Sequence, residues 1–257
     1  MPEAGRRWSR SEVLIAFNIY CRTPFGKLHA RNPEIVKIAE RLGRTPGALA
    51  MKCCNIASFD PAQQARGIKG LSKASQVDSE VWNSFERDPE QTGYESETQY
   101  AEAVGEEPRM TEGVEWEGVS GLDRLAVVKV RVNQTLFRAI ILSGYGSECA
   151  VCGLGIPQLL VASHIVPWAF DKSLRMNPQN GLCLCALHDR AFDKGLLRVG
   201  PDYRVSLSEF VLAQRSDKAV TQHLLVYERA EIKLPERWHP DPELLSRHLA
   251  TAELTNP

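Results

Sequence analysis

Residues 149–198 hold four of the chain's seven cysteines and two of its six histidines, interleaved with Asn and Asp. Cys149 and Cys152 form a Cys-x2-Cys pair, and Cys185 and His188 form a Cys-x2-His pair about 35 residues later. Two ligands separated by two residues make a tight knuckle in which both can face one ion. A second such pair closes a tetrahedron, so these four residues have the donor set of a Cys3His zinc site. A four-ligand site leaves no open position for water, and this zinc is therefore expected to be structural. Cys183 lies close by and is expected to face away from Cys185 on a strand; Cys185 has the x2 spacing to His188 and is the expected ligand. That set leaves His164, in the β-branched run Ser163-His164-Ile165-Val166, together with Asn180, Asp189 and Asp193, unexplained. The module as a whole reads as metal-binding and catalytic.

The elements that must position these residues are legible in part. Val127–Val132 has strand character, and Gln134–Leu142 has helical spacing. Arg131 and Arg138, just upstream of the first cysteine pair, are expected to contact phosphates if DNA crosses here. After the module, 205–212 and 224–228 read as short strands or a helical cover, and the tail as turn residues before a short helix. His223, His239 and His248 lie outside any ligand spacing and are expected at the surface.

A chain of 257 residues exceeds the usual ~100–200 residues of one domain. Charge divides it into three. Residues 1–75 carry 13 Lys/Arg against 5 Asp/Glu, residues 76–120 carry 2 against 13, and residues 121–257 carry 16 against 14. The basic head reads as helical. Ser9-x-x-Glu12 is a capping box before the run VLIAFNIY. Asn32-Pro33 and Thr45-Pro46 start two further helices, and Gly43 closes the first of these. This helix–Gly–helix pattern is helix-turn-helix-like, with Arg44 and Lys52 expected to be exposed and to meet DNA. Cys53 and Cys54 have no second pair nearby and are expected to pack in the core, and His29 in a loop. Residues 76–120 read as an acidic linker, a solvated tether that could also shield the basic head.

No apolar run approaches the ~20 residues of a membrane span, and the N-terminus lacks a signal-peptide core. The chain is expected in the cytoplasm, where clustered cysteines read as metal ligands rather than disulfides.

The order SHIVPW, NPQNGL, LHDRAFDKGL resembles an HNH endonuclease of the ββα-metal fold, of the kind common among restriction-type nucleases. The resemblance covers roughly residues 125–200. It implies two antiparallel strands and a helix around one divalent ion, with His164 as general base and Asn180 tying the loop and orienting the His ring. It implies Asp189 and Asp193, at i and i+4 on one helical face, as ligands of Mg²⁺ or Mn²⁺. The sequence departs from the family at two places. Ser163 stands where Asp or His is often a further ligand, and His188 lies one residue before the family's metal position. If no zinc binds, His188 could instead turn toward the catalytic ion.

The expected whole is an α+β protein with a helix-turn-helix-like domain at 1–75, an acidic linker at 76–120 and an HNH nuclease domain at 121–257. Its expected activity is metal-dependent cleavage of double-stranded DNA in bacterial restriction or defence, and a double-strand cut would favour a homodimer. The alternatives are a DNA-binding regulator with a structural zinc module and an effector nuclease gated by a ligand or partner.

Overall fold

A computed structural model of the chain describes residues 6–67, 74–110 and 121–255. The protein divides into two compact units, 1–143 and 144–257.

The first unit is helical: α1 Arg10–Arg22, α2 Pro33–Arg41, α3 Pro46–Ala57, α4 Pro61–Ala65, α5 Gln76–Arg87, α6 Pro89–Val104 and α7 Gly121–Gly144. The expected caps are in place. Ser9 and Glu12 form the capping box of α1, Asn32 and Thr45 cap α2 and α3, and Gly43 adopts a left-handed φ of 63°. Cys53 is buried, as its isolation in sequence implied.

Three expectations for this unit need correction. Residues 76–104 of the supposed linker form α5 and α6, and residues 111–120 lie outside the described residues. Val81, Trp82 and Phe85 of α5 are buried, with Phe17 of α1 against Phe85 at 4.9 Å between ring centroids. Two acidic side chains of α6 pair with α1. Glu95 pairs with Arg10 at 2.8 Å, Glu97 pairs with Arg22, and Asn18 Nδ2 donates to Ser96 Oγ at 3.1 Å and to Glu97 Oε2 at 3.0 Å. Basic head and acidic segment are therefore one bundle, and the charge split marks two faces of a contact rather than two domains.

Arg44 and Lys52 are likewise not exposed. Arg44, 8% exposed, reaches both carboxylate oxygens of Glu12 at 3.0 and 2.9 Å and donates to the carbonyls of Arg6 and Arg7. Lys52, 5% exposed, lies 2.8 Å from Asp78 Oδ1, and Trp8 lies beneath both cations. A buried Lys or Arg must be paired, because its desolvation is otherwise uncompensated. These residues hold the bundle together. The exposed positions of α3 are Gly47 and Met51, neither of them cationic.

Val127–Val132 is helix, not strand. Burial along α7 falls on Val132-Asn133, Leu136-Phe137 and Ile140-Ile141, a spacing close to four that only a helix turns to one side. β-branched residues favour strands only weakly against such a pattern. Arg131 and Arg138 lie half-buried on this helix and belong to the first unit, so the unit that holds the cysteine module begins at 144 rather than 121.

The second unit contains β1 Leu160–His164, β2 Gly181–Cys185, α8 Ala186–Asp193, β3 Leu197–Val199, β4 Val205–Leu207, α9 Glu209–Leu212, α10 Lys218–His223 and α11 Pro242–Thr255. β1 and β2 are antiparallel, with Leu160 opposite Cys185 and His164 opposite Gly181, and β2 runs directly into α8. This is the expected ββα order. A second antiparallel hairpin joins β3 and β4. Of the two segments read as strands or helical cover, 205–212 is a strand leading into α9, while 224–228 holds a 3-10 turn, Leu225–Tyr227. The whole is mixed helix and small sheet. Among the described residues no helix is long and apolar enough to cross a membrane.

Candidate active site and metal centre

The knuckle Cys149–Cys152 closes on itself. Cys149 N–H donates to the Leu154 carbonyl and Gly153 N–H to the Cys149 carbonyl, with Gly153 at a left-handed φ of 73° that suits glycine. Ala150 N–H donates to the Cys183 carbonyl at 2.7 Å, tying the knuckle to β2. Cys185, at the end of β2, is the N-cap residue of α8, and one turn on stands His188. The ligand atoms of Cys149, Cys152, Cys185 and His188 all lie within 4.8 Å of one another.

Their spacing fits a tetrahedral zinc. Bonds of about 2.3 Å to sulfur and about 2.0–2.1 Å to nitrogen give edges of roughly 3.8 Å between sulfurs and roughly 3.6 Å from sulfur to nitrogen. The observed separations are 3.9 Å for Cys152 Sγ to Cys185 Sγ, and 3.2 and 3.5 Å from His188 Nδ1 to Cys185 and Cys149 Sγ. His188 Nε2 lies 3.1 Å from the carbonyl of His223, an acceptor only, so Nε2 carries the proton and Nδ1 faces the thiols with its lone pair. Burial and the neighbouring Cys149 and Cys185 push the Cys152 thiol up to about 12. Cys183 is buried on the same strand face as Cys185, since a strand repeats every two residues, but it sits one repeat further along and outside the cluster.

A second constellation lies at the other end of the β1–β2 pair. A cavity of about 290 Å³ is lined by His164, Asp193, Phe170, Arg247 and His248 among others. His164, half-buried at the end of β1, has Nε2 3.0 Å from the Arg175 carbonyl and stands edge-on to Trp168 at 5.4 Å. Burial lowers its pKa below the usual histidine value, and the bond to the Arg175 carbonyl opposes this only in part. Ser163, whose side chain alternation turns to the other face of β1, is buried and does not line the cavity.

Asn180 is fully buried and acts on the loop between the strands. Its Oδ1 accepts from Val166 N–H at 2.8 Å, and its Nδ2 donates to the carbonyls of Val166 and Leu174 at 3.1 and 3.2 Å. Those bonds hold both ends of the segment that brings the Arg175 carbonyl to His164.

The ββα order, the closed cysteine knuckle and the cavity at His164 coincide with one family match. Residues 149–199 match the HNH endonuclease family. Among curated proteins, none matches the chain. The HNH segment therefore runs from the knuckle through β3, and the nuclease family it matches acts on nucleic acid with a metal.

Within the HNH segment, Asp193 lines the cavity while Asp189 does not, although both lie on α8. The Asp193 carboxyl is raised above its ordinary value by burial first and by the charge of Asp189 second. Among the described residues, the one group of three or more His, Cys and acidic side chains close enough to share an ion is the cysteine cluster. His164, Asp189 and Asp193 are thus not drawn to that spacing, and an ion here would take much of its shell from water and phosphate, as Mg²⁺ does.

Spacing alone gave no hint of His248 at the cavity. It was expected at the surface, yet on α11 its ring stacks on Phe192 of α8 at 3.8 Å and 8° between planes, and burial lowers its pKa to about 4. α11 can come this close because Gly195 has no side chain: a Cβ there would stand 3.0 Å from that of Ala252. His223 is exposed, as expected, and its backbone carbonyl lies against His188.

Proposed function

We propose that this protein is a metal-dependent DNA endonuclease of the HNH type. The observation that carries the reading is that His164 and Asp193 line one cavity within the segment matching the HNH family. His164 is the general base. Its Nε2–H is engaged by the Arg175 carbonyl, which orients the ring that takes the proton from the water attacking phosphorus. Its lowered pKa keeps the ring neutral, and so able to accept a proton, near neutral pH. Asn180 is a positioning residue that holds the loop and hence the Arg175 carbonyl. Asp193, with Asp189, holds a divalent ion, Mg²⁺ or Mn²⁺. When bound, that ion neutralises charge on the scissile phosphate and on the leaving oxygen.

Cys149, Cys152, Cys185 and His188 hold a structural zinc that joins the knuckle to the start of α8. Arg131 and Arg138 on α7 remain proposed phosphate contacts. The helix-turn-helix role for residues 1–75 has weaker support, because α3 turns no cation outward. A role in restriction or defence, on double-stranded DNA, rests on the resemblance alone.

Plasmid nicking or linearisation with Mg²⁺ or Mn²⁺, compared with an RNA substrate, tests the reading. Cleavage of DNA that disappears in His164→Ala while nucleic-acid binding persists supports it. Binding without cleavage under any metal would replace it with a DNA-binding regulator.

A further inference from the structure

The cavity beside His164 is more apolar than hydrolysis of a phosphodiester requires. A backbone phosphate is polar on every side and is reached from an open cleft of donors and cations. Here Ile165, Val166 and Ala252 contribute apolar walls. At about 290 Å³ the space falls just below the roughly 300–1,000 Å³ of small-molecule sites, which suits one flat ring system better than a length of duplex.

Two further residues of the cavity, Phe170 and Arg247, are exposed. Phe170, on the loop after β1, is 79% exposed, a placement that costs apolar area in water and contributes little to the core. Arg247, exposed on α11, lines the same cavity and acts on the loop beside Phe170. The neighbouring Asp171 carboxyl is held below its ordinary value by the Ser173 hydroxyl and amide, and in smaller part by the charge of Arg247. An exposed aromatic face next to a cation is the pairing with which proteins grip unpaired nucleotides, the ring stacking on the base and the cation taking the phosphate.

We infer that this cavity takes one nucleobase swung out of its stack beside the scissile phosphate, with Phe170 stacking on the base and Arg247 bound to an adjoining phosphate. The inference rests on the nuclease reading and narrows its substrate to a strand that is unpaired, bulged or mismatched at the cut. Extruding a base from an intact duplex costs unstacking and unpairing, which such sites have already lost.

A double-mutant cycle between protein and substrate tests it. Phe170→Ala is combined with oligonucleotides carrying an abasic nucleotide at each position flanking the cut, and kcat/KM is measured for every combination. Phe170 is exposed, so the variant is expected to keep the wild-type melting temperature. At one position, removing the ring or the base should each lower kcat/KM by roughly 5- to 100-fold. Removing both should cost no more than removing one. Phe170→Trp should restore activity, and Arg247→Ala should reduce the salt dependence of binding by about one phosphate contact. Additive losses at every flanking position, or equal cleavage of paired and unpaired strands, would overturn the inference. If wild type binds but cleaves nothing, the nuclease reading fails on its own, and the same cycle run on dissociation constants still decides the cavity. Coupling there upholds base capture, and additivity removes it.

Discussion

His188 donates from Nε2 to the carbonyl of His223 at 3.1 Å, and that bond decides which ring nitrogen faces the cysteines. It answers the question left open by a histidine one residue away from the family's metal position. The ring is turned to Cys149 and Cys185, not to Asp189 and Asp193.

Metal analysis of the purified protein should therefore find about one equivalent of zinc. Cys149→Ser, Cys185→Ser and His188→Ala should each lose it and melt several degrees lower, because binding and folding are coupled. Cys183→Ser should keep its zinc. Zinc retained by Cys185→Ser but lost by Cys183→Ser would mean that the ligand set is misassigned.

His164→Ala should lower the cleavage rate by about 10²- to 10⁴-fold, the usual worth of a general base. The base works when neutral, so activity rises with pH through the folded-state pKa. Burial holds that pKa below the usual value of about 6.5, and the acid limb of kcat/KM should lie correspondingly low. An acid limb above 6.5 would argue against His164 as the base.

Asn180→Ala removes an acceptor and two donors from a fully buried site. The groups left unpaired, Val166 N–H and the carbonyls of Val166 and Leu174, should cost about 1–3 kcal/mol. Urea unfolding measures this. In the protein that remains folded, kcat should fall more than KM rises, because the loop carrying the partner of His164 is loosened while the rest of the site stays. Unchanged kcat would leave Asn180 a purely structural role.

Lys52→Ala leaves the Asp78 carboxylate buried and unpaired, and should destabilise the first unit by about 3–5 kcal/mol. The double variant Lys52→Met/Asp78→Leu should recover much of that loss. A Lys52→Ala protein of wild-type stability with a shallower salt dependence of DNA binding would return Lys52 to the DNA-contacting role.

His248 gives a pH signature of folding. Its pKa is about 4 in the folded protein and about 6.5 when unfolded. Between these values the unfolded chain binds a proton that the folded one refuses, so stability is full above about pH 6.5 and falls toward pH 4. The loss is on the order of 3 kcal/mol. His248→Phe keeps an aromatic ring against Phe192 and should flatten this part of the unfolding profile. An unchanged slope would assign it to other groups.

What the sequence determined by itself was short-range. Ligands two residues apart meet one ion wherever the chain goes, so the cysteine pairs were legible as a metal site. The same holds for the Ser9–Glu12 capping box, the Asn32 and Thr45 caps and the run from β2 into α8, each set within a few residues.

The tertiary structure decided what depends on partners far along the chain. Whether the charges of Arg44, Lys52 and Glu97 face water or a partner of opposite charge is fixed by helices from distant segments, and desolvation makes pairing obligatory once they are buried. Val127–Val132 became helical because burial on one side of α7 outweighs the preference of β-branched residues for strands. The cavity needed α11, which begins well beyond the HNH segment, to approach Gly195 and bring Arg247 and His248 beside His164. No spacing rule spans that distance, because the approach is set by the packing of whole elements and not by the turn of one.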